Sequence, residues 1–134
     1  MAAPIYAHMG LNCADMAVTE AFYCKHFGFR RTRAIPLGDE RIIFLKAGEV
    51  YLELFQAKGV SPEPPYGNDG PQYPGFRHIS FAVEDVSATL KTIEAEVTLG
   101  PLAFDEFIPG WKTAWIKDPD GRIVEISEGY RDEE

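Results

Sequence analysis

Four side chains of this sequence fall into two like-spaced pairs, His8 with Glu53 and His78 with Glu125. The separations are 45 and 47 positions, and an Asp follows each His by seven residues, as Asp15 and Asp85. Imidazole and carboxylate together suit one first-row divalent ion such as nickel, cobalt, zinc, iron or manganese. Coordination positions left open to water would make the ion catalytic rather than structural. A single His on a strand is more often hydrogen-bonded or exposed, and a single Glu is more often solvated. Four such residues at matching places in a repeat favour the metal.

The elements that must position these groups are themselves repeated, a signal sought before any other. The first copy opens with His8-Met9-Gly10-Leu11-Asn12-Cys13 and later holds Val50-Tyr51-Leu52-Glu53-Leu54-Phe55. The second opens with His78-Ile79-Ser80-Phe81-Ala82-Val83 and later holds Arg122-Ile123-Val124-Glu125-Ile126-Ser127. Alternation predicts a strand over residues 5–13, with His8, Gly10 and Asn12 on one face. Ala14-Asp15 offers an N-cap, residues 16–27 read as a helix with Ala17, Ala21, Cys24 and Phe27 at helical spacing, and Gly28 is a stop. A strand at 29–35, a turn at 36–39, and a hairpin of 41–47 with 49–56 around Gly48 complete the order βαβββ. The second half repeats it: a strand at 77–83 and a helix from Val86 to about Ala95 behind Asp85, with Val86, Leu90 and Ile93 on one side. Strand candidates follow at 97–99, 103–107, 113–117 and 122–127, the last two joined by the turn Asp118-Pro119-Asp120-Gly121. In the strands carrying Glu53 and Glu125, one face is apolar and would pack under a helix. Each Glu lies on the opposite face, which is free to form a cleft.

At 134 residues the chain is read as one domain, 1–134, with a first module at about 4–57, a linker at 58–76 and a second module at about 77–128. The linker holds five prolines and four glycines, and a long irregular segment of this kind is a candidate flap over a site. A hydrophobic content of 46% supports a globular chain rather than a disordered one. A net charge of -8 argues against nucleic acid, whose binding is driven by basic surface, and gives no reason to expect a membrane surface. Arg30, Arg31 and Arg33 form a local basic group that could hold an anionic substrate, although decoration of an edge strand is the plainer reading. Cys13 and Cys24 lack CxxC spacing and read as small core residues. Without a signal peptide pattern or an apolar run of membrane length, a cytoplasmic location is expected. His26, at the end of the first helix, has no counterpart in the second half and suits the helix dipole.

These residues resemble the vicinal oxygen chelate superfamily, also called the glyoxalase/bleomycin-resistance/dioxygenase fold. The matching pieces are His8-Met9-Gly10-Leu11, Ala21-Phe22-Tyr23 with Phe27-Gly28-Phe29, Tyr51-Leu52-Glu53-Leu54, Arg77 through Val83, and Asp118-Pro119-Asp120-Gly121 followed by Val124-Glu125. The resemblance implies an α+β fold of two tandem βαβββ modules, a curved mixed sheet around a metal-containing cleft. It carries the ligand roles over to His8, Glu53, His78 and Glu125. Members with three protein ligands, such as extradiol dioxygenases and fosfomycin-resistance enzymes, lack a ligand at the Glu53 position, and bleomycin-type binding proteins lack the set. The four-ligand pattern is similar to glyoxalase I and to methylmalonyl-CoA epimerase. Both move a proton next to a carbonyl, and in the glyoxalase resemblance a metal-bound glutamate, Glu125 or Glu53, is the base. A His as first ligand resembles the nickel- or cobalt-activated class.

Two positions depart from the glutathione-using enzymes, Asn12 where they carry an Arg and Ala57 where they carry an Asn. A neutral amide and a methyl would not grip a glutamyl carboxylate as those groups do. In the epimerase comparison, Asp39 or Glu40 stands where a separate catalytic glutamate is expected, and an exposed acidic turn is the plainer reading. The resemblance also implies a small-molecule substrate and a homodimer. The sequence leaves open whether the site forms within one chain or across two. A binding or antibiotic-resistance protein of the same fold is the alternative to an enzyme, with Phe55, Trp111 and Trp115 as aromatic residues that could stack on a planar ligand.

Overall fold

A computed structural model describes residues 2–60 and 74–133. The chain divides into two compact units, Met1–Pro62 and Glu63–Glu134. In the first, β1 (Met9–Cys13) leads into α1 (Met16–Phe27), followed by β2 (Arg30–Leu37), β3 (Glu40–Ala47) and β4 (Val50–Gln56). The strand order is β1-β4-β3-β2, with β1 parallel to β4 and the other neighbours antiparallel. In the second, β5 (Ile79–Ala82), α2 (Val86–Thr92), β6 (Val97–Ala103), β7 (Lys112–Lys117) and β8 (Ile123–Glu128) repeat the plan. Its order is β5-β8-β7-β6, again with the first pair parallel. The chain is therefore α+β, two tandem βαβββ modules, each with its own mixed sheet of four strands.

Each helix begins where the sequence provides a cap. Asp15 is extended, and its carboxylate accepts the N–H groups of Ala17 and Val18. Asp85 does the same for Ala88. The end of the last strand in each module completes the start. Gln56 accepts the Met16 N–H and donates to the Ala14 carbonyl, while Glu128 accepts the Val86 N–H. Orphan helix donors are thus used to tie each helix to its sheet. Gly28 closes α1 in the left-handed region at φ 70°, its N–H reaching the Tyr23 carbonyl, a conformation that glycine adopts without steric cost.

α1 packs on β1, β3 and β4. Leu11, Cys13, Ile43, Leu45, Leu52 and Leu54 are buried beneath it, and a fully buried aliphatic side chain contributes about 1.5–3 kcal/mol. In the second unit α2 packs on β7 and β8, over Ala114, Ile116, Val124 and Ile126. The face of α1 turned to the sheet is not the expected one. Met16, Thr19, Phe22 and Tyr23 are buried, whereas Ala17 and Ala21 are exposed. The stripe with the larger side chains wins because burial stabilises in proportion to apolar area.

Element ends differ from expectation for local reasons. β1 starts at Met9, the first residue of the ladder with β4, where it pairs with Leu52. β2 runs on through Pro36 and Leu37 to a turn at Gly38-Asp39. Proline is tolerated there because β2 is an edge strand. α2 stops at Thr92, since Ile93 is extended and the Glu96 carbonyl already accepts the Lys117 N–H at the sheet. The two strands expected at 97–99 and 103–107 are one strand, β6, which pairs with β7 on both sides of Gly100-Pro101. Residues 105–107 form a turn instead. The linker and flap expected at 58–76 lie outside the described residues over 61–73. Among the described residues, no helix is long and apolar enough to cross a membrane.

Candidate functional site

Within the first unit, β1 and β4 run parallel with Gly10 opposite Glu53. His8 precedes Gly10 by two residues, so period-two geometry keeps it on the Glu53 side. Its Nε2 lies 3.1 Å from Glu53 Oε1, and its ring meets Phe44 edge-on at 5.6 Å between centroids. Phe44 is the cross-strand partner of Glu53 on β3. Leu52 and Leu54 on either side of Glu53 are buried against the helix, while Glu53 itself is half-buried. The core therefore fixes the strand and presents the carboxylate on the open face.

The second unit builds the same pair. His78 Nε2 lies 3.6 Å from Glu125 Oε2, flanked by the buried Val124 and Ile126. Here a further group takes part, since the Ser80 hydroxyl donates to Glu125 Oε1 at 2.9 Å. Ser80 is opposite Glu125 in the β5–β8 ladder, as Gly10 is opposite Glu53. It was not singled out in the sequence, although its place two residues after His78 was a readable signal of a shared face. Trp115 pairs with Glu125 across β7–β8. An aromatic cluster surrounds it: Phe104 lies 6.5 Å from Trp115 and 5.4 Å from Trp111, and the Trp111 Nε1–H donates to Ser127 Oγ. Trp115 is buried and Trp111 half-buried, so both also serve packing.

The donor chemistry and spacing fit a first-row divalent ion. Ligand bonds of about 2.0–2.2 Å set neighbouring donors roughly 2.8–3.6 Å apart, and both His–Glu separations fall in that range. Both histidines present Nε2. Among the described residues, no group of three or more His, Cys, Asp or Glu side chains that could hold a metal ion is present. Each unit offers a pair.

The remaining candidates separate clearly. Asp39 and Glu40 are exposed in the β2–β3 turn and its margin. His26 sits in the last turn of α1 against Phe22. Cys13 is fully buried. Burial, with Glu20 nearby, pushes the Cys24 thiol above its ordinary pKa. Arg31 is tied to Glu20 on α1 by two bonds of 2.7 and 2.6 Å, and this raises its pKa.

Two tandem βαβββ modules, each joining a strand-borne Glu to a His just before its first strand, define a class of paired-module proteins. The chain belongs to the Glyoxalase/Bleomycin resistance protein/Dioxygenase superfamily, whose family model matches residues 5–126. It is 30% identical over 129 residues to the uncharacterised protein YaeR of Escherichia coli (strain K12), covering 90% of this chain and 93% of YaeR. Among solved structures it is similar to a glyoxalase family protein from Enterococcus faecalis, with a TM-score of 0.71, 29% identity, and coverage of 92% of this chain and 97% of the other. It is also similar to a lactoylglutathione lyase from Agrobacterium tumefaciens, with a TM-score of 0.59, 25% identity and coverage of 93% of each chain.

Proposed function

We propose that this chain is a divalent-metal-dependent lyase or isomerase of the glyoxalase I type, acting on a small carbonyl compound by moving a proton next to the carbonyl. The observation that carries this reading is the doubled His–Glu pair at 3.1 and 3.6 Å, at corresponding places of the two modules. His8, Glu53, His78 and Glu125 would hold one metal ion. When bound, a divalent ion supplies Lewis-acid stabilisation of the negative charge that builds on the substrate oxygens. The chain's own carboxylates carry the proton.

A base needs an oxygen within reach of the proton it removes. Glu125 engages both oxygens, Oε2 with His78 and Oε1 with Ser80. Glu53 engages Oε1 with His8. This favours Glu53 as the group that removes and returns the proton, with Ser80 holding Glu125 in place as a ligand. Asn12, on the Glu53 face opposite Phe55, does not offer the cation that grips glutathione, so thiol adducts other than the glutathione one are the expected substrates. A homodimer is expected, and light scattering should read twice 15.0 kDa.

The test is turnover. Metal-loaded protein is assayed with methylglyoxal adducts of several thiols and with acyl-CoA epimers. Wild type should turn over at least one of these, and Glu53→Ala and His78→Ala should each be inactive. Full activity in either variant removes the reading. The aromatic cluster of Phe104, Trp111 and Trp115 favours one other reading, a protein that binds a planar ligand without converting it. Saturable binding with no product in any metal-loaded assay would select it.

A further inference from the structure

The three clustered arginines do not act as one patch. β2 and β3 pair with Arg30 opposite Lys46, Arg31 opposite Leu45, and Arg33 opposite Phe44. The register slips by one residue between Arg31 and Arg33, leaving Thr32 as an extra residue whose hydroxyl reaches the Phe44 carbonyl at 3.4 Å. Opposed residues of a ladder share a face. Leu45 is buried under α1, so Arg31 belongs to the helix side, where Glu20 holds it. Phe44 is opposite Glu53, and Lys46 is opposite Tyr51. Arg33, Lys46 and Arg30 therefore share the face of His8 and Glu53. Simple alternation would have put Arg31 and Arg33 together. The bulge separates them, which is how bulges re-aim side chains near functional sites.

The open face of the first sheet thus has an ordered composition. One row across the strands reads Gly10, Glu53, Phe44, Arg33. The next reads Tyr51, Lys46, Arg30, with the Lys46 ammonium 5.1 Å from the centre of the Tyr51 ring. Neighbouring strands lie about 4.8 Å apart, so Arg33 stands roughly 10 Å from Glu53 at the backbone, two strands away. A chain with a net charge of -8 repels anions at long range. Three cations on one sheet face, beside the His–Glu pair, supply the local attraction an anionic molecule needs.

We infer that the β2–β3 end of this face is a subsite for an anionic group, a carboxylate or a phosphate, carried by the substrate at a distance from its reacting carbonyl. Arg33 and Lys46 hold the anion, and Phe44 and Tyr51 floor the stretch between it and the His8–Glu53 pair. The inference deepens the proposed function and rests on it for the word substrate. The anion subsite itself needs no metal, and its test is run without one.

Chelator-treated protein, labelled with nitrogen-15, is titrated at constant ionic strength with glutarate and, separately, with inorganic phosphate. Saturable amide shifts are expected at Arg33, Phe44, Lys46 and Tyr51. The double variant Arg33→Gln, Lys46→Met should bind the better probe at least about tenfold more weakly, as charge-assisted bonds are lost. Arg41→Gln, which removes a cation opposite Pro36 on the other face, should bind as wild type does. Tighter glutarate assigns a carboxylate, and tighter phosphate assigns a phosphoryl group. No saturable shift on this face, or unchanged binding by the folded double variant, overturns the subsite. Wild-type metal content in the double variant keeps this outcome separate from that of the metal site.

Discussion

Ser80 stands two residues after His78, where Gly10 stands two residues after His8. That single difference divides the two carboxylates. Glu125 is held by a hydroxyl and an imidazole, and Glu53 by an imidazole beside an aromatic edge. Partners that orient a ligand typically contribute 10- to 100-fold to metal affinity. Ser80→Ala should therefore weaken metal binding by about tenfold or more, measured by competition with a chromophoric chelator, with the fold intact by circular dichroism. Unchanged affinity would reduce Ser80 to a surface hydroxyl. That His8 meets Glu53 and His78 meets Glu125 was legible in the sequence because strand alternation is strict at period two and the two copies match in spacing. The pairing partners of Glu53 and Glu125 were not, since Phe44 and Ser80 reach them through ladder registers that the sequence does not print.

α1 and α2 show how far local chemistry fixes an element. Asp15 and Asp85 were readable as caps, and both accept helix N–H groups. Replacing Asp15 by Ala should lower stability by about 1 kcal/mol, read as a lower urea midpoint with an unchanged slope. A midpoint equal to wild type would mean that Gln56, which also serves the start of α1, is sufficient alone. The helix bounds 16–27 were read as observed, because a cap and a left-handed glycine mark both ends. Its buried face was misread, since small residues at 17 and 21 keep helical spacing without offering area to bury. The bulge at Thr32 was invisible for a different reason. Nothing local in Arg30-Arg31-Thr32-Arg33 requires it, and it arises from pairing with β3. The single strand β6 was likewise hidden by Gly100-Pro101, which reads as a break until β7 is seen pairing on both sides.

On the scale of the whole molecule, the repeat is what makes the chain intelligible. One βαβββ plan, used twice, sets a pair of donors on each sheet and a helix beneath it. The same fold hosts many activities, so the reading of function stands on the site rather than on the architecture. The superfamily assignment over residues 5–126 agrees with the resemblance carried by the His8, Glu53, His78 and Asp118-Pro119-Asp120-Gly121 segments. As proposed, the two pairs together would hold one ion. Elemental analysis of protein purified without chelator or affinity metal, repeated on Glu53→Ala, tests it most directly. Wild type should carry about one divalent ion per chain, and the variant should lose it. A wild-type protein that is metal-free and cannot be reloaded, or a variant that keeps its ion, would contradict it.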